Sequence, residues 1–191
     1  MKSFQVPVGV SNKHVHVSKE DLETLFGEGY ELTVMKDLSQ PGQYAAEERV
    51  EVVGEKGSMK MRILGPTRSK TQVEISRTDS FALGVEPVLR ESGNTEGTPG
   101  LVIRGPKGEV EMKEGVIVAA RHIHFHTDDA EKFGIKNKDT VKVRAGGPRG
   151  VVFEEVICRV DPSFALDMHI DMDEANAASI NNGDMVEVIK E

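Results

Sequence analysis

The chain has 191 residues, 38% of them hydrophobic, with 19 glycines and 29% charged side chains; that is enough apolar material for a buried core and argues against general disorder. Lys and Arg number 24 against 32 Asp and Glu, a net charge of −8, the reverse of the balance shown by proteins that grip nucleic-acid phosphates. No apolar run approaches the ~20 residues of a membrane-spanning helix, MKSFQVPVGV has no secretory apolar region, and the single Cys158 cannot close an internal disulfide, so the expectation is a soluble, acidic, cytoplasmic protein without nucleic-acid or membrane partners.

In chain order, Ser18 with Asp21 opens a short helix that carries Leu22, Leu25 and Phe26 and stops at Gly27. Period-two alternation predicts strands over 50–53, 60–64, 71–75, 101–104 and 116–120. Residues 92–100 read as a surface loop. A second short helix near 128–133 ends at Gly134, and strands over 140–144, 151–160 and 185–189 follow. Turn residues separate them, at Pro41-Gly42, Gly65-Pro66 and Asn182-Gly183 among others. Many short strands with few helices predict a mainly β chain built from β-barrels.

The chain also repeats weakly. KHVHVS at 13–18 leads into a helix ending LFG, and RHIHFH at 121–126 leads into one ending KFG; SFAL recurs at 80–83 and 163–166. Two copies of one unit would place equivalent strands and histidines at a pseudo-twofold interface.

Five of the six histidines lie in these copies: His14, His16, His122, His124 and His126; the sixth is His169 in DMHID. On a strand, residues i and i+2 share a face, so His14 and His16 project together, as do His122 and His124. One such pair alone is more often a surface feature. Two pairs in matching contexts point to metal, and nitrogen donors without thiolate suit zinc or a similar divalent ion. Four imidazoles could serve one closed site; with His169 and a carboxylate they could instead serve two metals with three protein ligands each. His126 aligns with the helix cap Ser18 and reads as a cap or supporting residue, and Cys158 as a small core residue.

Residues 62–77 carry Arg62, Arg68, Lys70 and Arg77 against Glu74 alone, a local +3 in an acidic chain. The Gly65-Pro66-Thr67 turn would present Arg68 to an anion, for which a guanidinium offers a two-pronged grip. Glu74, in the alternating Val73-Glu74-Ile75 stretch, could be an oxygen ligand.

VSNKHVHVS, LSQPGQYAAEERVEV, LGPTRSKTQVEISRTD, GVIVAARHIHF and LDMHIDMDEANAA together resemble the phosphate acyltransferases associated with bacterial microcompartments, the phosphate propanoyltransferases, over essentially the whole chain. The resemblance implies two small closed β-barrels with short capping helices, one built from 3–12 plus 120–191 and the other from 13–119. It implies interconversion of short-chain acyl-CoA plus orthophosphate with acyl phosphate plus CoA, two Zn2+ per chain, and a homodimer. One zinc would be held by His14, His16 and His169 and the other by Glu74, His122 and His124. Arg68 would lie beside the phosphate, with Ser11, Lys36, Arg62, Leu64 and Asn176 contacting CoA. The chain begins without the amphipathic encapsulation extension of microcompartment members, so the expected location is the cytoplasm rather than a microcompartment lumen. No Ser-His-Asp or Cys-His arrangement is evident, which fits direct attack of phosphate on the thioester. A metal-bound water is the competing nucleophile, so a zinc-dependent thioester or acyl-phosphate hydrolase is the alternative, and a non-catalytic metal-binding barrel a third.

Overall fold

The alternating stretches fold as strands because one face of each is apolar and must be buried. The computed structural model describes residues 3–189; residues 1–2 and 190–191, the latter pair assigned above to the first barrel, lie outside the described residues. In chain order the elements are β1 (Phe4–Ser11), β2 (His14–His16), α1 (Lys19–Phe26), β3 (Val34–Asp37), β4 (Tyr44–Val53), β5 (Ser58–Gly65), β6 (Gln72–Glu74) and α2 (Arg77–Leu83). Next come β7 (Leu89–Arg90), β8 (Leu101–Arg104), β9 (Glu109–Met112), β10 (Val116–Ala119), β11 (His122–Phe125) and α3 (Thr127–Phe133). The chain ends with β12 (Thr140–Ala145), β13 (Val151–Val160), β14 (Asp167–Asp171), α4 (Met172–Ala178) and β15 (Met185–Ile189). No described helix is long and apolar enough to cross a membrane.

Two units divide these elements. The first takes the chain up to Ser11, Ser39–Pro41 and everything from Ala120 onward. Its strands close a six-stranded barrel in the order β1-β14-β11-β13-β12-β15, around a core that includes Val6, Ile123, Phe125, Val143, Val156, Met168 and Val188. Cys158 lies in this core, fully buried. The long β13 does not alternate perfectly: Phe153 and Val156 are both buried, three residues apart. A bulge accounts for it, with the register against β12 shifting between Val141 and Val143 and Glu155 at φ 53°.

The second unit is Asn12–Leu38 and Gly42–Ala119. Its sheet runs β7-β10-β6-β2-β5-β4-β8-β9, with β3 pairing on β4, over a core that includes Val15, Leu22, Leu25, Val50, Met61, Ile63 and Val73. The expected second closed barrel is therefore an open, half-barrel sheet. Its ends explain this: β7 has two residues, and β9 carries the exposed Glu109 and Glu111, a short strand and a charged one that discourage further pairing.

The repeat is architectural where it concerns the histidine strands. β2 lies parallel to β5 and antiparallel to β6; β11 lies parallel to β13 and antiparallel to β14. A helix follows each: Ser18 caps α1, and the His126 side chain caps α3 by accepting the Asp128 N–H. The repeat fails at SFAL. The first copy is in α2, nucleated by a Ser76–Asp79 capping box, whereas the second begins inside a turn in which Asp161 accepts from Ser163.

Candidate metal centres

In the open-sheet unit the central strand β2 is buried along its whole length. Val15 points into the core with Ile63 and Val73, so His14 and His16 point the other way. Glu74 stands directly opposite His14 across the β2–β6 pair. The His14 Nδ1 meets the Asn12 carbonyl at 2.8 Å and the His16 Nδ1 meets the Leu64 carbonyl at 3.2 Å. With both Nδ1 atoms on backbone acceptors, the two Nε2 atoms turn inward and face each other at 3.2 Å. They lie 3.5 and 3.7 Å from the Glu74 carboxylate.

Two inward nitrogen lone pairs beside a buried carboxylate call for a cation between them. Burial opposes charge on His14, but the Glu74 carboxylate outweighs it and raises its pKa. Burial and the neighbouring His14 charge push His16 down to about 3. Burial would raise Glu74, yet His14 and His16 hold it well below the usual carboxylate range.

The closed barrel repeats the arrangement. Ile123 enters the core, leaving His122 and His124 on the opposite face, and His169 stands directly across from His122 on β14. The His122 Nδ1 meets the Ala120 carbonyl at 2.8 Å, as His14 does that of Asn12. Two ring nitrogens, His124 Nδ1 and His169 Nε2, are buried without a hydrogen-bond partner. The Asp167 carboxylate comes within 3.2 Å of His169 Nε2, but off the N–H direction, and takes the Ser39 hydroxyl at 2.5 Å. Burial first, then the charges of His122, His169 and Arg159, push His124 down to about 2. A neutral imidazole with an unsatisfied nitrogen is disposed to ligate a metal.

Each set offers three ligand atoms within 4.8 Å of one another: His14, His16 and Glu74 in one, and His122, His124 and His169 in the other. Both fit a small divalent cation, the first through two nitrogens and a carboxylate oxygen, the second through three nitrogens. The grouping differs from the one implied by resemblance, in which Glu74 and His169 were exchanged. The reason is register: each third donor is the residue directly opposite the first histidine of its own pair.

The basic stretch disperses. Arg62 reaches the Ala46 carbonyl, Lys70 pairs at the surface with Glu114, and Arg77 lies over the exposed Phe81. Arg68 alone turns toward the donors. Its Nη1 donates to Ser92 Oγ at 3.1 Å, and that hydroxyl donates to Glu74 at 2.7 Å. Gln72 completes the network, donating to Glu74 at 2.7 Å and accepting the Gly93 N–H at 2.8 Å. Gln72 shares the face of Glu74 by simple alternation and was legible in the sequence; Ser92 was hidden in the segment expected to be a surface loop. That segment is partly interior, with Thr95 and Thr98 buried.

Of the remaining sequence candidates, Arg62 and Leu64 share the face of β5 beside His14. Lys36 is exposed on β3. Ser11 ends β1 and Asn176 is exposed on α4, both in the closed-barrel unit.

Comparison with known proteins finds relatives over nearly the whole chain. A family model described as phosphate propanoyltransferase matches residues 7–181. The chain is 60% identical over 185 residues to the phosphate propanoyltransferase of Thermotoga maritima, covering 96% of this chain and 88% of that protein. It is 54% identical over 188 residues to that of Rhodopseudomonas palustris, covering 98% and 83%, and 49% over 190 residues to that of Clostridioides difficile, covering 99% and 91%. Matched from end to end by proteins of one name, the chain belongs to the phosphate propanoyltransferase family and is a phosphate acyltransferase.

Proposed function

We propose that the chain transfers a short acyl group between CoA and orthophosphate by direct attack of phosphate on the thioester, with His14, His16 and Glu74 holding one zinc and His122, His124 and His169 the other. The observation that carries this is the pair of buried three-donor clusters, with ring nitrogens facing each other or left unpartnered. When bound, the metals supply Lewis acidity that polarises the thioester carbonyl.

The chain's own residues do the rest. Arg68, braced through Ser92, holds the non-attacking phosphate oxygens and offsets the negative charge that develops on attack. A free phosphate oxygen forms the new bond to the carbonyl carbon. The C–S bond breaks and CoA leaves as thiolate; a thiol with a pKa near ~8.5 needs no strong general acid. Ser11, Lys36, Arg62, Leu64 and Asn176 contact CoA. The transfer takes place in the cytoplasm, and the working assembly is a homodimer.

The test is CoA release from acetyl-CoA and propanoyl-CoA, with and without orthophosphate, on protein whose zinc content is measured in parallel. Phosphate-dependent release with about two zincs per chain supports the proposal. Release indifferent to phosphate identifies a hydrolase, and no release from zinc-loaded protein leaves a metal-binding barrel; either overturns it.

A further inference from the structure

The two units share one feature that neither the donor clusters nor the acyl transfer accounts for. The residue just before the first histidine of each pair is a cation, Lys13 or Arg121. Lys13 Nζ lies 2.8 Å from Asp79 Oδ1; Arg121 Nη1 lies 2.9 Å from Glu174 Oε1. In both cases the carboxylate belongs to the third helical residue of a capping box, α2 or α4. Its second oxygen accepts the cap residue's backbone N–H, from Ser76 at 3.2 Å or Asp171 at 3.1 Å. Each cap residue lies two positions after the third donor, Glu74 or His169.

The geometry therefore ties together the two chain segments that must stay in register for a cluster to exist. It also acts on a particular bond. The amide N of Lys13 and the carbonyl of Asn12 form one rigid peptide plane, and that carbonyl takes the His14 Nδ1. Arg121 and Ala120 stand in the same relation to the His122 Nδ1. The backbone acceptor sets the tautomer and orientation of each imidazole, and partners of this kind tune a ligand's affinity for metal.

We propose that Lys13 and Arg121 are positioning residues. Each, anchored on a capping-box carboxylate, fixes the peptide that aims the first histidine of its cluster. The two copies use different pairs, Lys with Asp and Arg with Glu, so what recurs is the charge arrangement and not one side-chain length. Both pairs are half-buried, and the effect argued here is on metal affinity, which is read separately from global stability. Arg121 also donates to the Glu154 carbonyl at 2.8 and 2.6 Å; substitution of Glu174 therefore isolates the pair more cleanly in that unit.

The inference rests on the proposed metal clusters, and the experiment separates the two. Zinc affinity is measured on the full chain by chelator competition, with His14→Ala and His122→Ala identifying which cluster each binding step reports. Lys13→Met and Asp79→Asn should each weaken the His14 cluster by about 10-fold or more and leave the other unchanged, with the double variant no worse than Lys13→Met. Glu174→Gln should do the reverse, and Lys13→Arg should retain wild-type affinity. Unchanged affinities, or equal weakening at both clusters, overturn the positioning role while the metal reading stands. Wild-type protein that binds no zinc at either cluster overturns both.

Discussion

Keeping His124 neutral makes the metal-free protein sensitive to acid in a calculable way. Its native-state pKa is about 2 against an ordinary 6.5, because burial and the charges of His122, His169 and Arg159 disfavour the imidazolium. As pH falls below 6.5 the unfolded chain takes up a proton that the native site refuses, so this stability is complete above 6.5 and is lost on acidification. At pH 5 the unfolded state gains RT ln(1 + 10^1.5), about 2 kcal/mol, a figure insensitive to the native value while it stays well below 5. His16, pushed down to about 3, acts in the same direction, and the raised His14 in the opposite one. The measurement is therefore a difference. Urea unfolding in the presence of chelator, at pH 7.5 and pH 5.0, is compared between wild type and His124→Gln. The stability lost between the two pH values should be smaller in the variant by about 2 kcal/mol, a midpoint change of roughly 1 M urea at a slope of about 2 kcal/mol/M. Equal losses in the two proteins would refute the claim that the fold holds His124 neutral.

Two further expectations follow from the same geometry. Arg68→Ala removes the one guanidinium of the basic stretch that turns toward the donors; steady-state kinetics should show the KM for phosphate rising about 10-fold or more with little change in the KM for acyl-CoA, and an unchanged phosphate KM sinks the assignment. Ile123→Ala empties a fully buried position between two donor histidines; denaturant unfolding should show a loss of about 2–5 kcal/mol, and a loss below about 1 kcal/mol would mean that the barrel interior collapses around the gap.

Local rules suffice wherever a side chain's face follows from its own segment. Alternation puts His14 with His16 and His122 with His124 in any strand, whatever the strand pairs with. The Ser18 and His126 caps and the Gly27 and Gly134 stops follow equally from short-range hydrogen bonding, and the recurring motif announced that the arrangement occurs twice. The sequence by itself determined that much, together with the mainly β character of the chain. Which third donor joins which pair was decided by tertiary structure alone. Glu74 and His169 each lie far along the chain from their histidines, and only strand register places them opposite His14 and His122. Register depends on the pairing of distant segments and on bulges such as that at Glu155, neither of which periodicity encodes. The same holds for closure of one sheet and not the other, for Ser92 bridging Arg68 to Glu74, and for Ser39 reaching Asp167. These contacts join residues whose separation in sequence carries no periodic signal, so their partners are chosen by the packing of the completed sheet.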